Sequence, residues 1–328
     1  MDMVLSDIIA VVEPSTQEVE KEIEGSIRSD IPLVYEISKY ILGSGGKRIR
    51  PCVLLLSSGA CGLENSGNRI KSAAAIELIH TASLLHDDVV DRANLRRGNP
   101  SANVVWGNQA SVLVGDFLIS RALNLINSCG NMELINSVTL AAAKLAEGQV
   151  LEVMSARDLI EVTEKVCFDI IENKTASLLE SCGQIGALLA GASSEIVSAL
   201  GNYGLNLGIE FQITDDALDY SADQEEFGKG VGQDLMEGKM TLPLLYSLQS
   251  ASESAKERTL EILDKDDIGS GDISFVLQLV NSNGGVEKSL RVASEFGEKA
   301  KGEISSLPPS TYKDSLIGLA DFVKERSM

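Results

Sequence analysis

Residues 76–98, IELIHTASLLHDDVVDRANLRRG, combine an apolar helical pattern with two histidines, an acidic cluster and an arginine pair. An α-helix turns about 100° per residue, so His80, Asp87 and Asp91 fall within a narrow sector of one face, with Asp88 beside it. Carboxylates this close repel one another unless a cation neutralises them. A partly hydrated Mg²⁺ prefers such ligands and leaves its remaining positions to phosphate oxygens. The stretch therefore predicts a magnesium site.

A second acidic cluster repeats this spacing. The segment FQITDDALDY, residues 211–220, places Asp215, Asp216 and Asp219 in another apolar helical pattern. A single DDxxD could be a solvated helix end, because short acidic motifs recur by chance. Two copies among apolar residues are hard to explain as solvated surface. If the two clusters face each other across a cavity, the bridging metal ions favour a highly anionic ligand, and a diphosphate is the simplest candidate.

Composition limits the class of protein. The chain has 328 residues, 44% of them apolar, and a net charge of −20. The acidic charge argues against a nucleic-acid surface, so we expect no nucleic-acid partner. Five scattered cysteines without a CxxC pair favour free thiols in a reducing compartment. The chain begins without a basic n-region and has no apolar run long enough to cross a bilayer, so we expect a soluble, cytoplasmic protein.

Glycine, proline, asparagine and serine divide the chain into helical segments. The predicted helices cover residues 15–28, 32–43, 51–61, 69–92, 108–129, 131–156, 162–192 and 194–220, followed by shorter ones and a last helix from about residue 310. Ser15 and Glu18 resemble a capping box. No run shows the alternation of a strand. We predict an all-α fold, with residues 1–328 forming a single domain of roughly ten or more helices around a deep central cavity.

Basic residues at several other places suit an anionic ligand. They are Lys47 and Arg50 in GGKRIRP, Arg96 and Arg97 in LRRG, Lys174 in ENKTASL, and Lys229 and Lys239 after the second cluster. Each alone could be a surface charge, and the arginine doublet could form a simple ion-pair network. Their coincidence with two acidic clusters favours a site. GGKR lacks the GxxxxGK[ST] spacing, so the pattern does not support a nucleotide hydrolase.

Five motifs in this order, GGKRIRP, HDDVVD with LRRG, the KT pair, FQxxDDxLD and GKxxGxDxxEGK, resemble the trans-isoprenyl diphosphate synthases. The resemblance covers essentially the whole chain and is closest to the long-chain, octaprenyl-type polyprenyl diphosphate synthases. It implies a Mg²⁺-dependent prenyltransferase that condenses isopentenyl diphosphate onto an allylic primer, farnesyl or geranyl diphosphate. It also implies a homodimer, and a product that serves as the side chain of a respiratory quinone, with at most transient membrane contact.

The resemblance also implies roles for residues. The Mg²⁺ ligands would be Asp87, Asp88, Asp91, Asp215, Asp216 and Asp219. The allylic diphosphate would be bound by Arg96, Lys174, Lys229 and Lys239, in a site lined by Thr175 and Gln212. The diphosphate of isopentenyl diphosphate would be bound by Lys47, Arg50, His80 and Arg97. Catalysis would depend on Asp87, Asp88, Asp91, Arg96, Lys174, Asp215 and Lys229. His86 points away from this face, and we expect it to have a structural role.

Product length in this family depends on the residues before the first aspartate. Short-chain members often place an aromatic residue there, whereas this chain has Ala82 and Ser83. The small pair predicts an open tunnel and a long product, with the tunnel floor formed by Leu125, Ile126 or Val138. Replacing Ala82 by Phe should shorten the product.

Other functions remain open at this point. A short- or medium-chain synthase that makes geranylgeranyl or hexaprenyl diphosphate is the nearest alternative. A terpene cyclase usually replaces the second DDxxD, and a non-catalytic partner subunit usually loses the aspartate motifs. Both motifs are present in this chain.

Overall fold

The computed structural model describes residues 4–156, 161–221, 232–265 and 268–325, and nearly all its elements are helices. The α-helices are α1 Leu5–Ala10, α2 Glu13–Ser26, α3 Pro32–Gly43, α4 Ile49–Ala60, α5 Gly67–Val90, α6 Ala102–Trp106, α7 Asn108–Ser128, α8 Met132–Ala156, α9 Glu164–Ile170, α10 Ser177–Leu189, α11 Ser194–Asp219, α12 Gln233–Met236, α13 Leu242–Gln249, α14 Glu253–Leu263, α15 Ser270–Ser282, α16 Gly285–Glu303 and α17 Thr311–Glu325. A π-helical segment, Ile171–Ala176, joins α9 to α10. The predicted all-α fold is confirmed.

Local sequence signals explain many helix ends. Proline at the first position opens α3, and Gly43 is its last residue. The Thr163 side chain caps α9 by accepting a hydrogen bond from the backbone N–H of Val166 at 3.3 Å. The last helix turns one apolar stripe inward, because Leu316, Leu319, Ala320 and Val323 are all buried.

The proposed capping box at Ser15 is wrong. Helix α2 begins at Glu13, with Pro14 in its first turn, so Ser15 lies inside the helix. Its hydroxyl instead accepts a hydrogen bond from Arg69 Nη1 at 2.9 Å. Arg69 is only 2% exposed, and its other hydrogen bonds go to the Ser58 hydroxyl and to backbone carbonyls, including that of Leu55. This buried guanidinium therefore ties α2 and α4 to α5.

Two short strands were not predicted. Leu95–Arg96 pairs antiparallel with Asn99–Pro100, and Arg97 and Gly98 form the two-residue connection. Both connecting residues have positive φ, 52° and 79°, as a type I′ turn requires. The tight turn separates the two neighbouring arginines, so that Arg96 and Arg97 reach different partners.

The predicted helix over residues 162–192 is interrupted. The structure divides it into α9, the π-helical segment and α10. A π-helical turn carries one extra residue per turn, so it shifts the direction of every side chain that follows. Lys174 and Thr175 lie inside this turn.

Long central helices form the interior. Helix α5 packs on α7, α10 packs on α4 and α11, and α11 also packs on α16. In the described part of the chain, α7 is the one helix long and apolar enough to cross a membrane by length and composition. Its inner face, which includes Val114, Leu118 and Ile126, is buried in the protein core, so the helix is an element of the bundle.

One buried carboxyl lies in this core, away from the acidic clusters. Glu210 on α11 is 1% exposed and lies against Gly297 of α16, where a methyl group would be 2.2 Å from Glu210 Oε1. Its Oε2 has no hydrogen-bond partner among the described residues. Burial raises the pKa of Glu210 to about 8, although Lys301 opposes this shift. The group is therefore mostly protonated near neutral pH.

Candidate active site

A cavity of about 840 Å³ brings the predicted motifs together. The site residues that line it are Lys47, Arg50, His80, Ser83, Asp87, Asp91, Arg96, Arg97, Lys174, Thr175, Gln212, Asp215, Asp216 and Lys239. Residues from 47 to 239 thus converge on one space. Lys229 lies outside the described residues.

The first acidic cluster divides into two parts. Asp87 and Asp91 line the cavity, as the helical geometry predicts. Asp88 is fully buried and does not line it. Instead, Asp88 Oδ1 accepts hydrogen bonds from Nε of Arg96 at 2.9 Å and from its Nη2. Asp88 therefore orients Arg96. In the cavity, burial raises the pKa of Asp87 to about 6.

The second acidic cluster divides in a similar way. Asp215 and Asp216 line the cavity, whereas Asp219 does not. The Asp219 carboxylate accepts backbone N–H groups of Gln233 at 3.1 Å and Asp234 at 3.0 Å, and so fixes the start of α12. Asp216 accepts a hydrogen bond from Gln212 Nε2 at 2.7 Å. Burial nevertheless raises the pKa of Asp216 to about 7.

Lys174 and Lys239 both contact Glu152, an acidic residue that was not among the predicted site residues. Lys174 Nζ donates to Glu152 Oε2 at 2.5 Å. Lys239 Nζ lies 3.4 Å from the same oxygen, 3.4 Å from Asp91 and 2.5 Å from Glu237. Burial acts to lower the pKa of Lys239, but these three carboxylates together raise it above its usual range. Lys239 is therefore a cavity residue and not a surface charge.

The GGKRIRP loop forms the basic end of the cavity. Arg48 anchors it, with its guanidinium bonded to Glu20 at 2.6 Å and to the buried Glu77 at 2.5 Å. A methyl group at Gly46 would lie 3.0 Å from Arg97 Nη1, so glycine permits the close approach of that arginine. Lys47 reaches the same end of the cavity, and its ammonium lies 5.1 Å from the Phe322 ring centroid on α17.

The two histidines lie in different environments. His80 is partly buried and lines the cavity, and desolvation there lowers its pKa well below the usual range, with Arg50 and Arg97 adding to the effect. A neutral imidazole is therefore the form present at neutral pH. His86 faces α7, where its Nε2 lies 3.2 Å from the carbonyl oxygen of Val112.

The chain-length residues also differ in position. Ser83 lines the cavity one helical turn before Asp87. Ala82 is fully buried in the hydrophobic core and does not line it. The predicted tunnel-floor residues belong to the same core, with Ile126 and Val138 buried and Leu125 packed against them. The cavity as described does not extend to these three residues.

The donor set suits an open magnesium site. In the described ranges, no three acidic, histidine or cysteine side chains converge as a closed metal site would require. Mg²⁺ commonly uses only one or two carboxylates and completes its shell with water and substrate phosphate. Asp87, Asp91 and Asp215, which share the cavity with several cations, fit this kind of binding.

Several cavity carboxylates were missed although the sequence carried a signal. Asp234 and Glu237 lie in the GxDxxEGK motif, where only the lysine received a role. Glu152 interrupts an apolar stretch of α8, in the segment QVLEVM. An acidic residue inside an apolar stretch of a helix is a signal of burial with a partner.

Comparisons with known proteins agree with this site. Residues 31–280 match the polyprenyl synthetase family. The octaprenyl diphosphate synthase of Haemophilus influenzae is 39% identical over 99% of this chain and 98% of its own. A nonaprenyl diphosphate synthase of Rhodobacter capsulatus is also 39% identical, over 98% and 97%.

The fold comparison points the same way. The structure of a polyprenyl synthase from Caulobacter crescentus in complex with calcium and isoprenyl diphosphate superposes with a TM-score of 0.94. The two chains are 35% identical, and the match covers 100% of this chain and 99% of the other. The chain therefore belongs to the polyprenyl synthetase family and is a prenyltransferase.

Proposed function

We propose that the protein is an all-trans long-chain polyprenyl diphosphate synthase that uses Mg²⁺ and adds isopentenyl units successively to farnesyl diphosphate. The observation that carries the proposal is the shared cavity, in which two acidic motifs face a set of basic side chains. A diphosphate bridged by metal ions would satisfy both sets of charges.

The cavity offers two places for a diphosphate. The allylic diphosphate would lie beside Asp87, Asp91 and Asp215, within reach of Lys174 and Lys239. The diphosphate of isopentenyl diphosphate would lie at the basic end, against Lys47, Arg50 and Arg97, where neutral His80 can donate a hydrogen bond. With this division, the two reacting ends of the substrates would lie between α5 and α11.

The reaction needs charge stabilisation and no protein nucleophile. Arg96, Lys174 and Lys239 stabilise the negative charge that develops on the diphosphate as the allylic C–O bond breaks. Bound Mg²⁺ would add positive charge to the same leaving group. The double bond of isopentenyl diphosphate then attacks the allylic carbon, the new C–C bond forms, and a proton leaves to the departed diphosphate.

Chain length is the finer part of the proposal. Ser83 gives the cavity a small side chain next to Asp87, and Leu84 and Leu145 provide an apolar wall. These residues support growth of an aliphatic chain away from the charged end. We propose a product longer than geranylgeranyl diphosphate, used as a quinone side chain.

Product analysis tests the proposal. Purified protein, Mg²⁺, farnesyl diphosphate and excess isopentenyl diphosphate are incubated, and the hydrolysed products are separated by length and identified by mass. A ladder ending in a long all-trans product is the expected result. A stop at geranylgeranyl diphosphate would contradict the long-chain assignment, and failure to incorporate isopentenyl units with either farnesyl or geranyl primer would contradict prenyl transfer.

We also propose a cytoplasmic homodimer, in which residues 1–328 form one domain and membrane contact is transient. Apolar side chains are exposed on adjacent helices, Val112, Leu113 and Leu123 on α7 and Met132, Leu140 and Val150 on α8. On each helix they lie within a sector of about 100°, as an interface requires. Light scattering should give twice the 35.0 kDa chain mass. Leu113→Glu with Leu140→Glu should give monomers, and a wild-type monomer would contradict the assignment.

A further inference from the structure

The π-helical segment Ile171–Ala176 is held between two long helices, α8 on one side and α11 on the other. π-Helical turns are rare because their geometry is poorer than that of the α-helix, and they are found mainly at functional sites. Lys174 and Thr175, the two polar cavity residues in this segment, owe their directions to the extra residue. Something must therefore hold the segment in this register.

On the α8 side, a glycine lies directly against the segment. A methyl group at Gly148 would lie 2.5 Å from the backbone nitrogen of Lys174 and 2.9 Å from Asn173 Cβ. Four residues later on the same helix, Glu152 accepts the Lys174 ammonium at 2.5 Å. Positions i and i+4 lie on one helix face, so the same face of α8 contacts the backbone of Lys174 through Gly148 and binds its side chain through Glu152.

On the α11 side, the arrangement is repeated. A methyl group at Gly208 would lie 2.5 Å from Ala176 Cα. Four residues later, Gln212 Oε1 accepts the Thr175 hydroxyl at 2.7 Å, and Gln212 Nε2 donates to Asp216 at 2.7 Å. Helices α8 and α11 thus each contact the segment with a glycine and, four residues later, with a polar side chain. The two polar side chains bind consecutive residues, Lys174 and Thr175.

We propose that Gly148 and Gly208 are positioning residues that clamp the π-helical turn, and so direct Lys174 towards Glu152 and Thr175 towards Gln212. Glycine inside a helix weakens that helix relative to alanine, so close approach is the physical reason for glycine at these two sites. The clamp acts on the binding of the allylic diphosphate, and in this respect the inference rests on the proposed function.

The first test does not depend on activity. Hydrogen exchange of the backbone amides of residues 171–176 is measured for wild type, Gly148→Ala and Gly208→Ala. The matched control is Gly201→Ala on α11, where the added methyl would lie 2.8 Å from Gln184 Cγ, away from the segment. We expect exchange at least about tenfold faster in the two clamp variants only. Equal exchange in all three variants would overturn the inference.

The second test uses kinetics. Gly148→Ala should raise the KM for the allylic diphosphate about tenfold and leave the KM for isopentenyl diphosphate unchanged. In a Lys174→Ala background, the same glycine substitution should have no further effect, because it acts through that lysine. A full additional loss in the double variant would show a merely structural role and would overturn the proposal.

A third variant tests the inference even if Gly148→Ala and Gly208→Ala do not fold. Glu152→Gln preserves side-chain size but weakens the bond to Lys174, so it should also speed exchange of residues 171–176. Unchanged exchange in this variant would count against the clamp. If wild type transfers no prenyl group, the proposed function fails, whereas the exchange measurements still decide the clamp.

Discussion

The buried carboxyl of Glu210 should make the stability of the protein depend on pH. Its pKa is about 8 in the folded chain, against 4.5 for an ordinary glutamate, and the cause is burial between α11, α16 and α17. A folded-state pKa above the unfolded value means that the folded protein binds the proton more tightly. This contribution to stability is complete below the unfolded pKa and is lost as pH rises through the folded one.

The size of the effect follows from the two pKa values. As the pH rises from about 5.5 to about 8, the difference in proton binding between the folded and unfolded states lowers the free energy of unfolding by about 3 kcal/mol. Solvent screens this group little, because the residue is 1% exposed. The Glu210→Gln variant has no titrating proton at this position. Over the same pH range, the fall in its free energy of unfolding should therefore be about 3 kcal/mol smaller than the fall in wild type.

Urea unfolding of both proteins at several pH values, at one protein concentration, measures this difference. Asp87 and Asp216 titrate in both proteins, so their contributions cancel in the comparison. The control is Glu24→Gln, at an exposed position of α2, which should preserve the wild-type slope. Parallel profiles for wild type and Glu210→Gln would refute the reasoning.

Four further outcomes are expected. Ser83→Phe should shorten the product, since the ring would enter the cavity one turn before Asp87; an unchanged product in mass analysis would contradict the tunnel at this position. Arg97→Ala should raise the KM for isopentenyl diphosphate about tenfold or more and leave the KM for the allylic primer unchanged, as steady-state kinetics can check. Arg69→Met should lower the free energy of unfolding by about 2–5 kcal/mol, because buried acceptors lose their donor; a smaller loss in urea unfolding would argue against a structural role for this arginine. Mg²⁺ affinity, measured by calorimetry, should be about a hundredfold weaker at pH 5.5 than at pH 8, because Asp87 and Asp216, with pKa values of about 6 and 7, must release protons to bind the ion. A pH-independent affinity would contradict direct binding by these carboxylates.

The helices could be predicted because their signals are local. Pro32, Gly43 and Asn108 mark helix ends, and the apolar pattern of α5 alone places His80, Asp87 and Asp91 on one face. By contrast, α1 was not predicted. It is a six-residue helix whose neighbour is α17, and so short a helix depends on a partner distant in sequence.

The missed features of the site depend on tertiary contacts. The helical wheel places Asp88 beside Asp87, but only the later hairpin brings Arg96 to bury and bind it. The π-helical turn likewise follows no local signal, since it is held by glycines more than 20 residues away in either direction. Glu152 received no role because its two lysines come from different parts of the chain.

The contact between Lys47 and Phe322 joins the GGKRIRP loop to α17, two parts of the chain that are far apart in sequence. A growing polypeptide leaves the ribosome from its N-terminus, so the GGKRIRP loop is synthesised long before α17. This loop therefore cannot reach its final environment until the last described helix has emerged. We therefore expect activity only in chains whose synthesis has passed α17.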